Sequence, residues 1–405
     1  MAAAQVLERT KAVPTKLEID LAIDEEAIRN RLFGTPYEPN PELWKADQNK
    51  FSRLSEEERN NLYETFKGSG YPERAQGPTI WDGKVLIDQT EKWLYQVSEE
   101  ERVEVEEAVK HFVSLDLGFD SISKETFPLK SLSKQLEKAK DEIHDGIGFT
   151  VIRGLKPEVW NREERIIAFA GIASYVGPVR LKQQDGQAIV HLRDLTRLKS
   201  EQRPTITLKG QTNGNQVAHT DAGDIVGLFT LGKAERGGLS QLSSVGQVYN
   251  WLAENRPDVL STLIEPSWEW SGQEATPLFH HHKGRILAQY ARRPWFGFYE
   301  DQNRRGDSPE LSYEKHVALD AIHFVAEKFF LDIDLQPGDL EFFNNLQVFH
   351  ARTYSEDSEE NVRHLLRIWV RDEERAIEIP KVLEKRWKAL LENESLRWPV
   401  EPWDK

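Results

Sequence analysis

His219-Thr220-Asp221 places an imidazole and a carboxylate two residues apart. On an extended chain, residues i and i+2 share a face, so both side chains can point at one centre. A second imidazole is available far downstream: His350, within Asn344-Asn345-Leu346-Gln347-Val348-Phe349-His350-Ala351-Arg352. Two imidazoles and one carboxylate make a facial triad, a donor set that suits ferrous iron and leaves coordination positions open. That set implies oxygen-activating chemistry on a metal. Alone, His-x-Asp is short and common, and a chain with 11 histidines supplies a later one by chance. The order of motifs strengthens the signal: His-x-Asp, then Gly237-Gly238-Leu239-Ser240, then Pro337-Gly338-Asp339, then His350, then two spaced arginines.

Those arginines are Arg363 and Arg367, in Arg363-His364-Leu365-Leu366-Arg367-Ile368-Trp369-Val370. On a strand they face the same side, and a buried guanidinium needs an anion. Its planar fork matches a carboxylate. Asp221 is one candidate partner, a dicarboxylate cosubstrate another, and an ordinary salt bridge the plain alternative.

Such residues need strands to hold them, and a jelly roll can bring His-x-Asp beside a distant His. Short strands are expected at 205–209, 226–231, 239–243, 277–282, 285–290, 339–343 and 364–370, with Gly148–Arg153 before them. Lys283-Gly284 is a two-residue hairpin turn. Ser55–Glu58 and Ser98–Glu101 fit capping boxes at helix starts, and Ser244 with Gln247 resembles another. Apolar residues at helical spacing predict helices over 133–144, 163–175, 248–255, 313–330 and 379–391. The fold class is α+β: a double-stranded β-helix (jelly-roll) core over 121–375, a mostly helical extension over 1–120 and a helical tail over 376–405. Residues 1–20 read as an arm.

Lys plus Arg number 53 against 68 Asp plus Glu, a net charge of −15, which argues against a nucleic-acid partner. Clusters such as Arg304-Arg305 are too small to reverse that. There is no cysteine, so thiolate sites and disulfides are excluded. No secretory signal or membrane-length apolar run is present, and the expected compartment is the cytoplasm. His280-His281-His282 alternates faces on a strand and reads as structural. Trp295 and Phe296, beside Arg292-Arg293, could rim a substrate entrance.

Taken together, Ala218–Asp221, Arg236–Ser240, Gln336–Leu340, Asn344–Arg352 and Arg363–Val370 resemble the taurine dioxygenase / TfdA-like family of iron(II)- and 2-oxoglutarate-dependent oxygenases, above all its fungal branch. The likeness covers roughly residues 120–375. It implies that His219, Asp221 and His350 bind Fe(II), with 2-oxoglutarate and O2 as cosubstrates. It implies that Arg367 pairs with the distal carboxylate of 2-oxoglutarate, assisted by Ser240 where relatives often carry Thr. Arg363 matches an arginine near the other carboxylate or the substrate. Asn215 matches a substrate-contacting position, and Arg352 is a spare cation for a substrate carboxylate. The implied reaction couples decarboxylation of 2-oxoglutarate to oxidation of a small polar molecule, such as an amino acid or carboxylate of fungal specialised metabolism. A sulfonate-degrading enzyme and a jelly-roll binding protein without catalysis are the alternatives.

Overall fold

The computed structural model describes residues 37–198, 206, 208–269, 274–297, 311–392 and 395–402. Its principal strands are, in chain order, Leu94–Gln96 (β1), Phe149–Arg153 (β2), Val179–Arg180 (β3), Ile189–Arg193 (β4), Gln216–His219 (β5), Ile225–Gly232 (β6), Ser240–Ser244 (β7), Leu331–Ile333 (β8), Leu340–Asn344 (β9), Val348–Arg352 (β10) and His364–Arg371 (β11). The main helices are Pro41–Ser52 (α1), Glu56–Lys67 (α2), Glu99–Ser114 (α3), Leu132–His144 (α4), Arg162–Val176 (α5), Val245–Asn255 (α6), Pro257–Ile264 (α7), Tyr313–Lys328 (α8) and Glu384–Leu391 (α9).

A seven-stranded sheet runs β1-β2-β9-β6-β11-β3, with β4 also paired to β11, and a four-stranded sheet runs β8-β7-β10-β5. Side-chain alternation sorts the strands into layers. Val151, Leu228, Phe343 and Trp369 of the large sheet meet Leu242 and Val348 of the small one. The outer face of the large sheet, including Ile152, Phe229 and Leu366, packs on α3, α4 and α5. The outer face of the small sheet, with Ala218, Phe349 and Ala351, packs on α6, α7 and α8, where α1 and α2 add Leu43, Trp44 and Phe66. The result is the expected α+β jelly roll, two facing sheets with open edges, clad by helices.

Each large apolar side chain contributes roughly 1.5–3 kcal/mol on burial. A one-residue slip of a central strand would exchange two buried faces, so register is held firmly. In that register His350 on β10 stands opposite His219 on β5.

Local chemistry agrees with the sequence at several joints. Ser55–Glu58 and Ser98–Glu101 form reciprocal capping boxes, and Ser244 accepts the Gln247 N–H at 3.0 Å. Lys283 and Gly284 both take positive φ, 48° and 77°, as a type I′ hairpin turn requires. Gly338 has φ 94°, and a Cβ there would lie 1.9 Å from the Leu155 carbonyl oxygen. Only glycine fits that turn, after which Asp339 accepts from Arg153 Nη2 at 2.7 Å.

Three expectations change. The stretch 205–209 lies largely outside the described residues, and Lys209 opens a 3-10 turn instead of ending a strand. The C-terminal helix starts at Glu384, after a 3-10 turn. Trp295 does not rim an entrance: it is buried and meets Trp268 edge-on at 5.5 Å. Arg292 beside it is buried as well and bonded to Asp320 at 2.6 Å. Residues 1–20 and Arg304-Arg305 lie outside the described residues. No helix among the described residues is long and apolar enough to cross a membrane.

Candidate metal centre

β5 ends at His219, and the chain leaves the sheet at once. Thr220 N–H donates to the Tyr290 carbonyl at 2.7 Å, and its hydroxyl oxygen accepts the Tyr290 N–H at 2.8 Å. Asp221 is then held by its own backbone. Its N–H donates to Asn345 Oδ1 at 2.7 Å, while Asn345 Nδ2 donates to the carbonyls of Asp221 and Gly223 at 3.0 and 2.6 Å. Gln289 Nε2 adds a bond to the Asp221 carbonyl at 2.8 Å. Asn345 sits in the turn between β9 and β10, so one hairpin both clamps Asp221 and carries His350. The sequence motif contained Asn345 but did not reveal this use of it.

The result is convergence. One donor atom from each of His219, Asp221 and His350 lies within 4.8 Å of the others, the only such group among the described residues. The two imidazole rings are 4.0 Å apart by centroid. His219 Nδ1 is 2.9 Å from the Val217 carbonyl. That contact selects the Nδ1–H tautomer and leaves the Nε2 lone pair between the Gln216 amide nitrogen at 3.0 Å and Asp221, whose Oδ1 is 3.9 Å away.

Protonation suits a metal. Burial lowers both histidines, His350 well below the ordinary imidazole range because His219 adds to the effect. Burial alone would raise Asp221, but Arg367, His350 and His219 outweigh it and hold the carboxylate below its usual value. Neutral imidazoles and an ionised carboxylate are the ligating forms, so the donor set fits a ferrous ion.

Outer partners matter for such a site, typically by 10–100-fold in metal affinity or activity. Asn345→Ala should therefore weaken ferrous iron binding by about 10–100-fold in an anaerobic titration. Unchanged affinity would show that the Asp221 turn holds without the amide.

The two sequence arginines separate. Arg367 is committed: Nη1 donates to Asp221 Oδ2 at 2.9 Å and Nε to Gln183 Oε1 at 2.9 Å. Trp369 Nε1 donates to the same Oδ2 at 3.0 Å. Arg363 is 8% exposed, and its guanidinium makes no hydrogen bond or ion pair among the described residues. Burial, then repulsion from Arg352, pushes its pKa far below the ordinary range. An orphaned buried cation of this kind fits an incoming carboxylate. Its stem passes Gly238, where φ is 73° and a Cβ would meet Arg363 Cδ at 3.0 Å, which explains the second glycine of Gly237-Gly238.

Ser240 points inward on β7, opposite Arg352 on β10. Its hydroxyl donates to Glu341, 2.8 Å from Oε2. Glu341 was not anticipated, although one acid in the apolar run Leu340–Phe343 is a readable signal. Arg352 is buried and bonds the Gly214 carbonyl through Nη2. Asn215 is exposed, and its Oδ1 accepts the Tyr354 N–H at 2.5 Å. It ties a loop and is not brought to the triad by any described contact. Gln216 is nearer, its amide nitrogen 3.0 Å from His219 Nε2. Of the histidine run, His280 is buried and His282 lies 3.7 Å from Glu378.

Comparison with known proteins agrees with this geometry. Residues 114–369 match the model of the taurine catabolism dioxygenase TauD, TfdA family. The chain is 33% identical over 338 residues to the taurine hydroxylase-like protein SAT17 of Stachybotrys chartarum, covering 80% of this chain and 87% of that one. It is 24% identical to the FR-33289 synthase of Streptomyces rubellomurinus, covering 73% and 89%. Among solved structures, an asparagine oxygenase in complex with Fe(II), 3-hydroxyasparagine and succinate superposes with TM-score 0.53 at 14% identity, over 69% of this chain and 93% of that one. The non-haem iron oxygenase OrfP, in complex with Fe and alpha-ketoglutaric acid, gives 0.51 at 16% identity, over 69% and 94%. With the motifs in place, the triad assembled and the match spanning most of the chain, this protein belongs to the taurine catabolism dioxygenase TauD, TfdA family and is a non-haem iron, 2-oxoglutarate-dependent oxygenase.

Proposed function

We infer that the enzyme oxidises a C–H bond of a small polar molecule, an amino acid or a related carboxylate, with hydroxylation as the default outcome. The observation that carries this reading is the convergence of His219, Asp221 and His350 within 4.8 Å. These three would hold Fe(II), which with 2-oxoglutarate and O2 supplies the oxidising power, succinate and carbon dioxide being the co-products. The chain's own groups bind, orient and exclude water.

The two arginine roles exchange relative to the expectation from the motifs. Arg367 is bonded to Asp221 and Gln183 and orients the carboxylate ligand. Arg363 is free and shares its chamber with Ser240 and Glu341, so it takes the distal carboxylate of 2-oxoglutarate. With the triad at one end and the buried guanidinium of Arg363 at the other, the residues would select a cosubstrate by its length. Arg352, with its Nε left without a partner, and Gln216 beside His219 are the groups offered to substrate. The amino-acid class is supported by the asparagine oxygenase, solved with 3-hydroxyasparagine, and by OrfP, solved also with (3S)-hydroxy-L-Arg, which share the fold. The taurine hydroxylase-like relative keeps sulfonates as the second class to test. An intact triad argues against a binding protein without catalysis.

The test is an anaerobic titration with ferrous iron and 2-oxoglutarate, followed by substrate-stimulated succinate release over amino acids, carboxylates and sulfonates. A charge-transfer band and succinate formation with an amino acid or carboxylate are expected. Absence of both would sink the reading, and response to sulfonates alone would replace the substrate class.

A further inference from the structure

Glu341 is fully buried in β9, facing the space between the sheets. Its register neighbours on the flanking strands are Val151 and Leu228, both apolar. Its hydrogen-bond partner is the Ser240 hydroxyl, 3.1 and 2.8 Å from the two carboxylate oxygens. Asp339, just before its strand, and Arg363 are the charged groups that act on it. Arg352 and Asp357 act in turn on Arg363. Glu341 and Arg363 are not ion-paired, although each is buried and opposite in formal charge.

A hydroxyl has one proton to donate. While Glu341 is ionised, the Ser240 proton is committed to it, and the serine turns lone pairs toward anything else in the chamber. A second carboxylate arriving there meets those lone pairs and the charge of Glu341. Once Glu341 is protonated, its own O–H can donate to Ser240 Oγ. The serine proton is then released for another acceptor.

We propose that Glu341 is a positioning residue for 2-oxoglutarate, taking up a proton as the distal carboxylate seats on Arg363 and thereby freeing the Ser240 hydroxyl to donate to that carboxylate. This rests on the reading of the chamber as the 2-oxoglutarate site. The electrostatics point the same way. Burial pushes Glu341 up to about 7, with Asp339 adding to the rise and Ser240 and Arg363 opposing it. An arriving carboxylate neutralises Arg363 and adds negative charge, so it raises Glu341 further. By linkage, 2-oxoglutarate affinity should be flat well below about pH 7 and weaken toward about tenfold per pH unit above it.

The experiment is calorimetric titration of the anaerobic, iron-loaded enzyme with 2-oxoglutarate at about pH 8, in two buffers of unlike ionisation enthalpy. Uptake approaching one proton per site is expected for the parent. Glu341→Gln, whose amide donates to Ser240 at any pH, should lose that uptake and bind more tightly than the parent at about pH 8. Binding without proton uptake, or uptake unchanged in the glutamine variant, overturns the proposal while leaving the site reading intact. No 2-oxoglutarate binding at any pH overturns both. Should the glutamine variant not fold, Ser240→Ala decides: the pH dependence of the dissociation constant must shrink by about threefold or more, and an unchanged dependence sinks the relay.

Discussion

Replacing His219 by alanine will abolish substrate-dependent succinate formation and leave a folded protein. The loss should exceed the roughly 100-fold typical of changes to outer partners, because a proposed ligand itself is removed. His219 ends β5 with its Nε2 toward Asp221 and its ring against His350. Nothing else among the described residues offers a third donor to the remaining pair. Folding should suffer by only about 1 kcal/mol, since the imidazole lies beside the polar side chains of Gln216, Asp221 and His350 and its strand pairing is made by the backbone. Succinate assay, iron content and a melting curve check the three parts. Turnover that survives the substitution would mean that the triad is misassigned.

Arg363→Met should do two opposite things. It should raise the dissociation constant of 2-oxoglutarate by at least about 30-fold, the effect of losing one member of a buried, hydrogen-bonded charge pair. It should also stabilise the protein in the absence of ligands, by roughly 1–3 kcal/mol. The sign follows from the side chain's position. Arg363 is buried without a partner, and burial, then Arg352, holds its pKa far below the ordinary range. A base with a depressed folded-state pKa disfavours folding at every pH below its unfolded value, which includes the whole neutral range. Methionine keeps much of the stem and removes the charge. Calorimetric titration and chemical denaturation report the two effects separately. A less stable variant with unaltered 2-oxoglutarate affinity would return the distal carboxylate to Arg367.

What could be read from the sequence was local. His-x-Asp is legible because alternation on an extended chain is a two-residue rule. The caps at Ser55 and Ser98 and the Lys283-Gly284 turn were legible for the same reason. Arg363 and Arg367 do share a face, but spacing along one strand does not say which end of the chamber each occupies. The acceptors that commit Arg367 are Gln183 and Asp221, 184 and 146 residues away from it. Asn345 reaches across 124 residues to hold Asp221. Arg292 finds its partner, Asp320, on a helix 28 residues away. Hydrogen-bond partners at such separations are chosen by the packing of sheets, and no local pattern encodes them. Glu341 is different. An acid flanked by Leu340, Phe342 and Phe343 announces a buried charge from the sequence alone.

The double donation to Asp221 Oδ2 has a consequence for coordination number. Arg367 Nη1 and Trp369 Nε1 occupy that oxygen's lone pairs at 2.9 and 3.0 Å. Oδ1 is the oxygen left without a donor, so Asp221 would offer a cation one oxygen, since presenting both would mean surrendering one of those bonds. The three side chains would then supply three donors and not four. The guanidinium and the indole would thereby limit what the protein gives a cation, and leave room for everything that is not protein.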